Sequence, residues 1–164
     1  RTPQSVRAQL AAAGARQEAV REVGDMNGAG SIAAIAEADL DVLLLGGAAV
    51  LSEEVFGLPR HGTLNVHPGY LPRIRGSLPV AQSLVRDVPV ACTLHRVSNM
   101  LDGGRWLERD IVDVYPGMSF DEIVYESCAL AGEQCARALV QLIETDSLNS
   151  TPFAEGSAGP NFKR

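Results

Sequence analysis

The chain has 164 residues, 46% hydrophobic and 21% charged, with a formal net charge of −6. That composition fits one compact domain with a sizeable core, and it argues against a nucleic-acid partner, because phosphate binding needs clustered Lys and Arg. No run of about 18 apolar residues exists, so no membrane-spanning helix is expected.

The chain starts at Arg1, without Met, in polar and Ala-rich sequence; no signal peptide is evident, and the start reads as that of a fragment. Residues 4–13 are Ala-rich with few breakers, and Gly14 follows as a C-cap, which predicts a helix. Residues 18–23 alternate weakly, as a short strand would. After a loop over residues 25–30, Ser31 is expected to cap a helix carrying Ile32, Ile35 and Ala36. Residues 41–45 form an apolar run that stops at Gly46 and Gly47, the pattern of a central parallel strand. Ser52 is placed to cap a short helix through Glu53, Glu54 and Val55, its acids at the positive end.

A strand is predicted over residues 63–67 and a short helix over residues 78–85. Strands follow over residues 89–97 and 106–112, with a loop between them. Ser119 and Glu122 have capping-box spacing and open a long helix to about Glu144, with Phe120, Ile123, Val124, Cys128, Ala131, Cys135, Leu139 and Leu142 as its apolar stripe. Residues 149–164 are rich in Gly, Ser and Pro and read as an extended tail. The organisation is therefore one domain over residues 1–148 plus that tail. Strand and helix alternate through the middle, which predicts an α/β fold: a mostly parallel twisted sheet with helices on both faces. Cys92, Cys128 and Cys135 lack metal-binding spacing and read as reduced core residues of a cytoplasmic protein, with no metal expected.

The segment Leu64-Asn65-Val66-His67-Pro68-Gly69-Tyr70-Leu71-Pro72 carries the chemistry. Asn65 and His67 lie two apart on a strand, so both side chains share a face at its carboxyl end, where open α/β sheets place ligands. The imidazole can exchange a proton near neutral pH, and the amide can donate to a developing oxyanion without titrating. That pair suits acyl-type transfer. Asp102, ahead of Gly103 and Gly104, is by default a turn residue. As a loop carboxylate at the same sheet edge it could instead take a proton, and raise the imidazole's pKa by proximity. Arg73 and Arg75 are either a solvated loop or a contact to an anionic substrate group.

Asn65-Val66-His67-Pro68 with Leu71-Pro72 and Arg75-Gly76, then Cys92-Thr93-Leu94-His95-Arg96-Val97 with Asp102 and Gly104, resemble the signatures of the 10-formyltetrahydrofolate-dependent formyltransferases. The resemblance covers roughly residues 30–145, and it implies a Rossmann-like fold whose first strand is not found ahead of Gln4. It implies that Asn65 polarises the formyl carbonyl, that His67 acts as an acid or electrostatic stabiliser, and that Asp102 accepts the amine proton and positions His67. Thr93 and His95 would support these from behind, His95 as a structural histidine. Gly47, Ala48, Ala49, Val50, Leu51 and Leu101 would line the pterin pocket. The implied donor is 10-formyltetrahydrofolate and the implied partner a small amine: a nucleotide-linked amino sugar first, glycinamide ribonucleotide next. A formyltetrahydrofolate hydrolase and a non-catalytic folate-binding or assembly module are the alternatives, and a homodimer is compatible with the sequence.

Overall fold

The computed structural model describes residues 12, 14, 22–47, 49–154, 159 and 161–162. The helix expected over residues 4–13 apart from Ala12, most of the strand expected over residues 18–23, and Ala48 lie outside the described residues; Glu22 and Val23 are irregular. In chain order the elements are α1 (Ala29–Glu37), β1 (Leu43–Leu45), α2 (Glu53–Phe56), β2 (Thr63–His67), β3 (Arg75–Gly76), α3 (Pro79–Val85), β4 (Ala91–Arg96), β5 (Arg105–Ile111), α4 (Phe120–Thr145), β6 (Thr151–Pro152) and β7 (Asn161–Phe162).

The α/β class holds, and the main sheet is mixed. Its five strands run β1-β2-β4-β5-β6. Only β1 and β2 are parallel, with Leu43 opposite Thr63; the other three pairs are antiparallel. The connection from β4 to β5 is too short for a crossover helix, so those strands must meet as a hairpin. Among the described residues β1 is an outer strand of this sheet, where a central one is expected. A second, two-stranded sheet pairs Arg75 and Gly76 of β3 with Asn161 and Phe162 of β7, which places those two tail residues beside the loop after β2.

Strand alternation divides the main sheet's two faces by chemistry. Leu64 and Leu94 turn toward α4 and bury against Ala138, Leu142 and Leu148, with Leu44, Val66 and Leu107 packed alongside. Asn65, His67, Thr93 and His95 hold the intervening positions. Register then sets Asn65 opposite His95 and His67 opposite Thr93. A satellite core of Val80, Val90, Val112 and Ile123 joins α3 to the start of α4.

The long helix has the expected capping box: Ser119 Oγ accepts from the Glu122 backbone N–H, and the Glu122 carboxylate accepts from the Ser119 N–H at 2.7 Å. Its buried stripe differs from the expected one and consists of Ile123, Ser127, Gln134, Ala138 and Leu142. Phe120 and Cys128 are exposed, and only Cys92 of the three cysteines is buried. Two polar residues carry the stripe because each has a partner in the sheet. Gln134 Nε2 donates to the Cys92 carbonyl at 3.1 Å and to Asp110 Oδ2 at 3.1 Å, and the Cys92 thiol donates to the Ser127 carbonyl at 2.9 Å.

Two further caps differ. Gly28, not Ser31, precedes α1; Ser31 is buried one turn in and donates its hydroxyl to the Asp25 carbonyl. Ser52 does occupy the N-cap of α2, but its side chain makes no capping hydrogen bond.

Candidate active site

β2 delivers Asn65 and His67 to one face, and the chain then reverses at Pro68 and Gly69. Gly69 is required there, because a Cβ would lie 2.7 Å from His67 Nε2 and 2.9 Å from the Pro79 Cβ. The Thr93 hydroxyl ties down the reversal, donating to the Gly69 carbonyl at 2.8 Å and accepting from the Leu71 N–H at 3.3 Å. Thr93 is fully buried, so its role is to fix the loop from beneath.

Asp102 lies on the hairpin between β4 and β5 with φ +47°, in the left-handed region that Asp and Asn tolerate better than other L-residues. It is thus both the turn residue its sequence suggests and a member of the site. Its Oδ2 accepts from the Gly76 N–H at 2.7 Å. Its Oδ1 lies 3.7 Å from His67 Nδ1 and 3.8 Å from His95 Nε2. Asp102, His67 and His95 are all buried. Arg75 holds the same hairpin: its Nε donates to the Leu101 carbonyl at 2.9 Å, and its Nη2 donates to the same oxygen. Arg75 thus braces the hairpin that carries Asp102.

Hydrogen-bond partners define the imidazole tautomers. A carbonyl only accepts, so His67 Nε2, 3.0 Å from the Ile74 carbonyl, must donate. In the neutral ring this leaves the Nδ1 lone pair toward Asp102. His95 Nδ1 donates in the same way to the Arg96 carbonyl at 3.1 Å, and its Nε2 accepts from Asn65 Nδ2 at 3.2 Å. That last bond orients the Asn65 amide through one of its two N–H groups.

Burial lowers the pKa of His67 from its ordinary value, outweighing the upward pull of Asp102 and of the Ile74 hydrogen bond. His95 is pushed down to about 4, again chiefly by burial against the pull of Asp102. The expectation that Asp102 would raise the imidazole's pKa is thus corrected: its charge acts in that direction, but desolvation is larger.

Asn65, His95 and Asp102 open onto a cleft of about 500 Å³. Ala49, Val50, Leu51 and Leu101 line this cleft; Gly47 and His67 are not among its lining residues. The lining also includes Glu53, Val97, Asn99 and Met100, none of which has a distinctive sequence signal. Asn99 Nδ2 donates to Glu53 Oε2 at 2.9 Å, linking the Asp102 hairpin to α2 across the cleft. The structure thus brings Asn65, His67, Thr93, His95 and Asp102 together, and His95, expected to support the site from behind, contacts the Asn65 amide. Among the described residues no cluster of His, Cys, Asp and Glu could hold a metal.

An α/β sheet with an amide, a carboxylate and two neutral histidines at one edge of a cleft defines a polar site suited to acyl-group chemistry. Residues 7–140 match the formyl transferase family, and the chain belongs to it. Methionyl-tRNA formyltransferase of Burkholderia pseudomallei (strain 668) is 33% identical over 104 residues, 63% of this chain and 32% of the relative. The chain therefore spans about a third of the length of such curated relatives. A formyltransferase from Anoxybacillus kamchatkensis, solved with UDP-4,6-dideoxy-4-formamido-L-AltNAc and tetrahydrofolate, superposes with a TM-score of 0.65 at 20% identity, covering 76% of this chain and 64% of that one. A formyltetrahydrofolate deformylase from Pseudomonas syringae pv. tomato superposes with a TM-score of 0.67 at 25% identity, covering 77% and 44%. No helix among the described residues is long and apolar enough to cross a membrane.

Proposed function

We propose that this chain transfers a formyl group from 10-formyltetrahydrofolate to the primary amine of a small acceptor. The observation that carries the reading is the Asn65 amide, held by His95 at the wall of the cleft, with Asp102 on the same wall. The cleft supports the donor assignment: Leu45, Val50, Leu51, Val97 and Met100 give it apolar walls suited to a flat heterocycle, with polar groups at the reacting end. The bound donor supplies an activated formyl carbonyl.

The chain's own groups divide the work. Asn65 donates its second N–H to the carbonyl oxygen as negative charge develops there, which a neutral amide does without titrating. Asp102 accepts the proton lost by the attacking amine and returns it to the donor nitrogen as the bond between that nitrogen and the formyl carbon breaks. His67 Nδ1, 3.7 Å from Asp102 Oδ1, presents a lone pair that shares this proton. The neutral state imposed by burial makes that sharing available. Gly76 and Arg75 hold Asp102 in position throughout. Proximity can supply about 7–11 kcal/mol of barrier reduction, and one oxyanion donor about 3 kcal/mol.

A nucleotide-linked amino sugar is the first acceptor to test, with glycinamide ribonucleotide second; the sugar-nucleotide complex of the Anoxybacillus structure supports this order. Water in place of the amine would give formyltetrahydrofolate hydrolysis with the same residues, a reading favoured by the resemblance to the deformylase. The test is product analysis with 10-formyltetrahydrofolate and each amine. Acceptor-dependent formamide supports transfer, and acceptor-independent formate supports hydrolysis. Folate binding without either product would make the chain a binding module.

A further inference from the structure

The active-site face of the sheet continues past the catalytic groups onto β5. Register places Arg109 opposite Thr93 and Trp106 opposite His95. Two rows therefore cross β2, β4 and β5 on that face: Asn65, His95, Trp106 and His67, Thr93, Arg109. With strands about 4.8 Å apart, Arg109 lies roughly 10 Å from the β2 end of its row.

The Arg109 guanidinium lies over two aromatic rings. Its guanidinium carbon lies 4.3 Å from the Tyr70 ring centroid and 4.9 Å from that of Trp106. Two aromatic faces fix the plane of the guanidinium and leave its edge as the part able to bind. Nε is sealed from solvent without an acceptor. Arg73, exposed, stands 6.0 Å from the same Tyr70 ring. Among the described residues neither arginine is paired with a carboxylate, whereas Arg60 and Arg137 are. Two guanidinium groups without a carboxylate partner among the described residues thus flank the Tyr70 ring beside the active site, in a chain of net charge −6.

We propose that Arg109, lying over the Tyr70 and Trp106 rings and assisted by Arg73, is an anion subsite for a phosphate carried by the amine acceptor. A planar fork with fixed orientation matches phosphate oxygens in bidentate fashion. The spacing suits an acceptor whose amine reaches Asn65 and Asp102 while its phosphate rests a sugar ring away on β5. This inference rests on the formyl-transfer reading for the acceptor's identity, but not for the existence of the subsite.

Trp106 is the single tryptophan of the chain, so intrinsic fluorescence reports the subsite without turnover. The full chain is titrated with UDP, ribose 5-phosphate, inorganic pyrophosphate and uridine. A saturable change with the three phosphates and none with uridine is expected. Tighter UDP would favour a nucleotide-linked acceptor, and tighter ribose 5-phosphate a phosphosugar. Arg109→Gln should weaken pyrophosphate about 10- to 100-fold, the worth of charge-assisted hydrogen bonds. The exposed Arg73→Gln, whose fold is not at risk, should weaken it severalfold. In the transfer assay Arg109→Gln should raise the acceptor KM with much less effect on kcat. No response to any phosphate, an equal response to uridine, or pyrophosphate binding unchanged in both variants would overturn the subsite. Formyl transfer without saturable phosphate binding would remove this inference alone. Saturable binding without transfer would remove only the functional reading.

Discussion

Asp102→Asn separates the chemistry of this site from its architecture. The carboxylate has two structural duties: accepting the Gly76 N–H at 2.7 Å and occupying a left-handed backbone position at φ +47°. Asn keeps both, since its Oδ1 can accept the same N–H and it tolerates that conformation. Its amide nitrogen would then face His67 Nδ1 and His95 Nε2, both lone pairs in the neutral tautomers, now 3.7 Å and 3.8 Å from Oδ1. Stability should hold or rise slightly. Asp102→Ala loses both: an orphaned N–H costs about 1–3 kcal/mol, and an Ala in the left-handed region about 1 kcal/mol more, roughly 2–4 kcal/mol in all. Both variants lose the proton acceptor, which is worth about 100- to 10,000-fold in rate. The assay is formyl transfer at saturating donor beside urea unfolding of the same preparations. An Asn variant within tenfold of wild-type turnover refutes the proton-accepting role. An Asn variant as unstable as the Ala variant refutes the hydrogen-bond accounting.

Asn65→Ala should lower kcat about 100- to 1,000-fold with little change in donor KM, because the lost hydrogen bond strengthens in the transition state; Asn65→Asp should be at least as damaging, and an active Asp variant would exclude the oxyanion role. Ala49→Trp should fill the cleft and abolish folate binding in calorimetry; unchanged affinity would place the ring elsewhere. His95→Gln should reduce kcat more than either KM by loosening the Asn65 amide, and equal loss of thermal stability and turnover would make His95 merely structural. Stability should fall below neutral pH, since His95 titrates near 6.5 unfolded and at about 4 folded. The unfolded chain takes up a proton that the folded one refuses, so the stabilisation is complete above pH 6.5 and is lost as pH falls toward 4. It amounts to something on the order of 3 kcal/mol for this group. Urea midpoints that decline as steeply in the His95→Gln variant would assign the slope to other groups.

Elements with a strong local cause were legible in the sequence. The capping box marks the start of α4 because its two hydrogen bonds are made within one turn. β2 matches residues 63–67 because alternation and Pro68 bound it on local grounds. The pairing direction of the strands was not legible, since it depends on where the chain returns after β2 and β4. The stripe of α4 was misread for a related reason. Ser127 and Gln134 look like surface residues, and only their partners Cys92 and Asp110, far away in sequence, allow them to be buried.

The site shows the same division between residue identity and residue state. Side-chain type and two-residue spacing bring Asn65, His67, Thr93 and His95 onto one face, because strand alternation is a local rule. What those residues do depends on terms that only the assembled site supplies. A carboxylate 3.7 Å from an imidazole favours the charged ring, and in water that would decide the matter. Here both histidines are buried, and the cost of desolvating a cation exceeds the attraction of a single carboxylate that is itself held by Gly76. The rings stay neutral, each with one nitrogen donating to a backbone carbonyl and the other offering a lone pair. One lone pair aims the Asn65 amide and the other faces Asp102. Neutrality is therefore what the proposed reaction requires of a single constellation that is to orient an oxyanion donor and receive a proton.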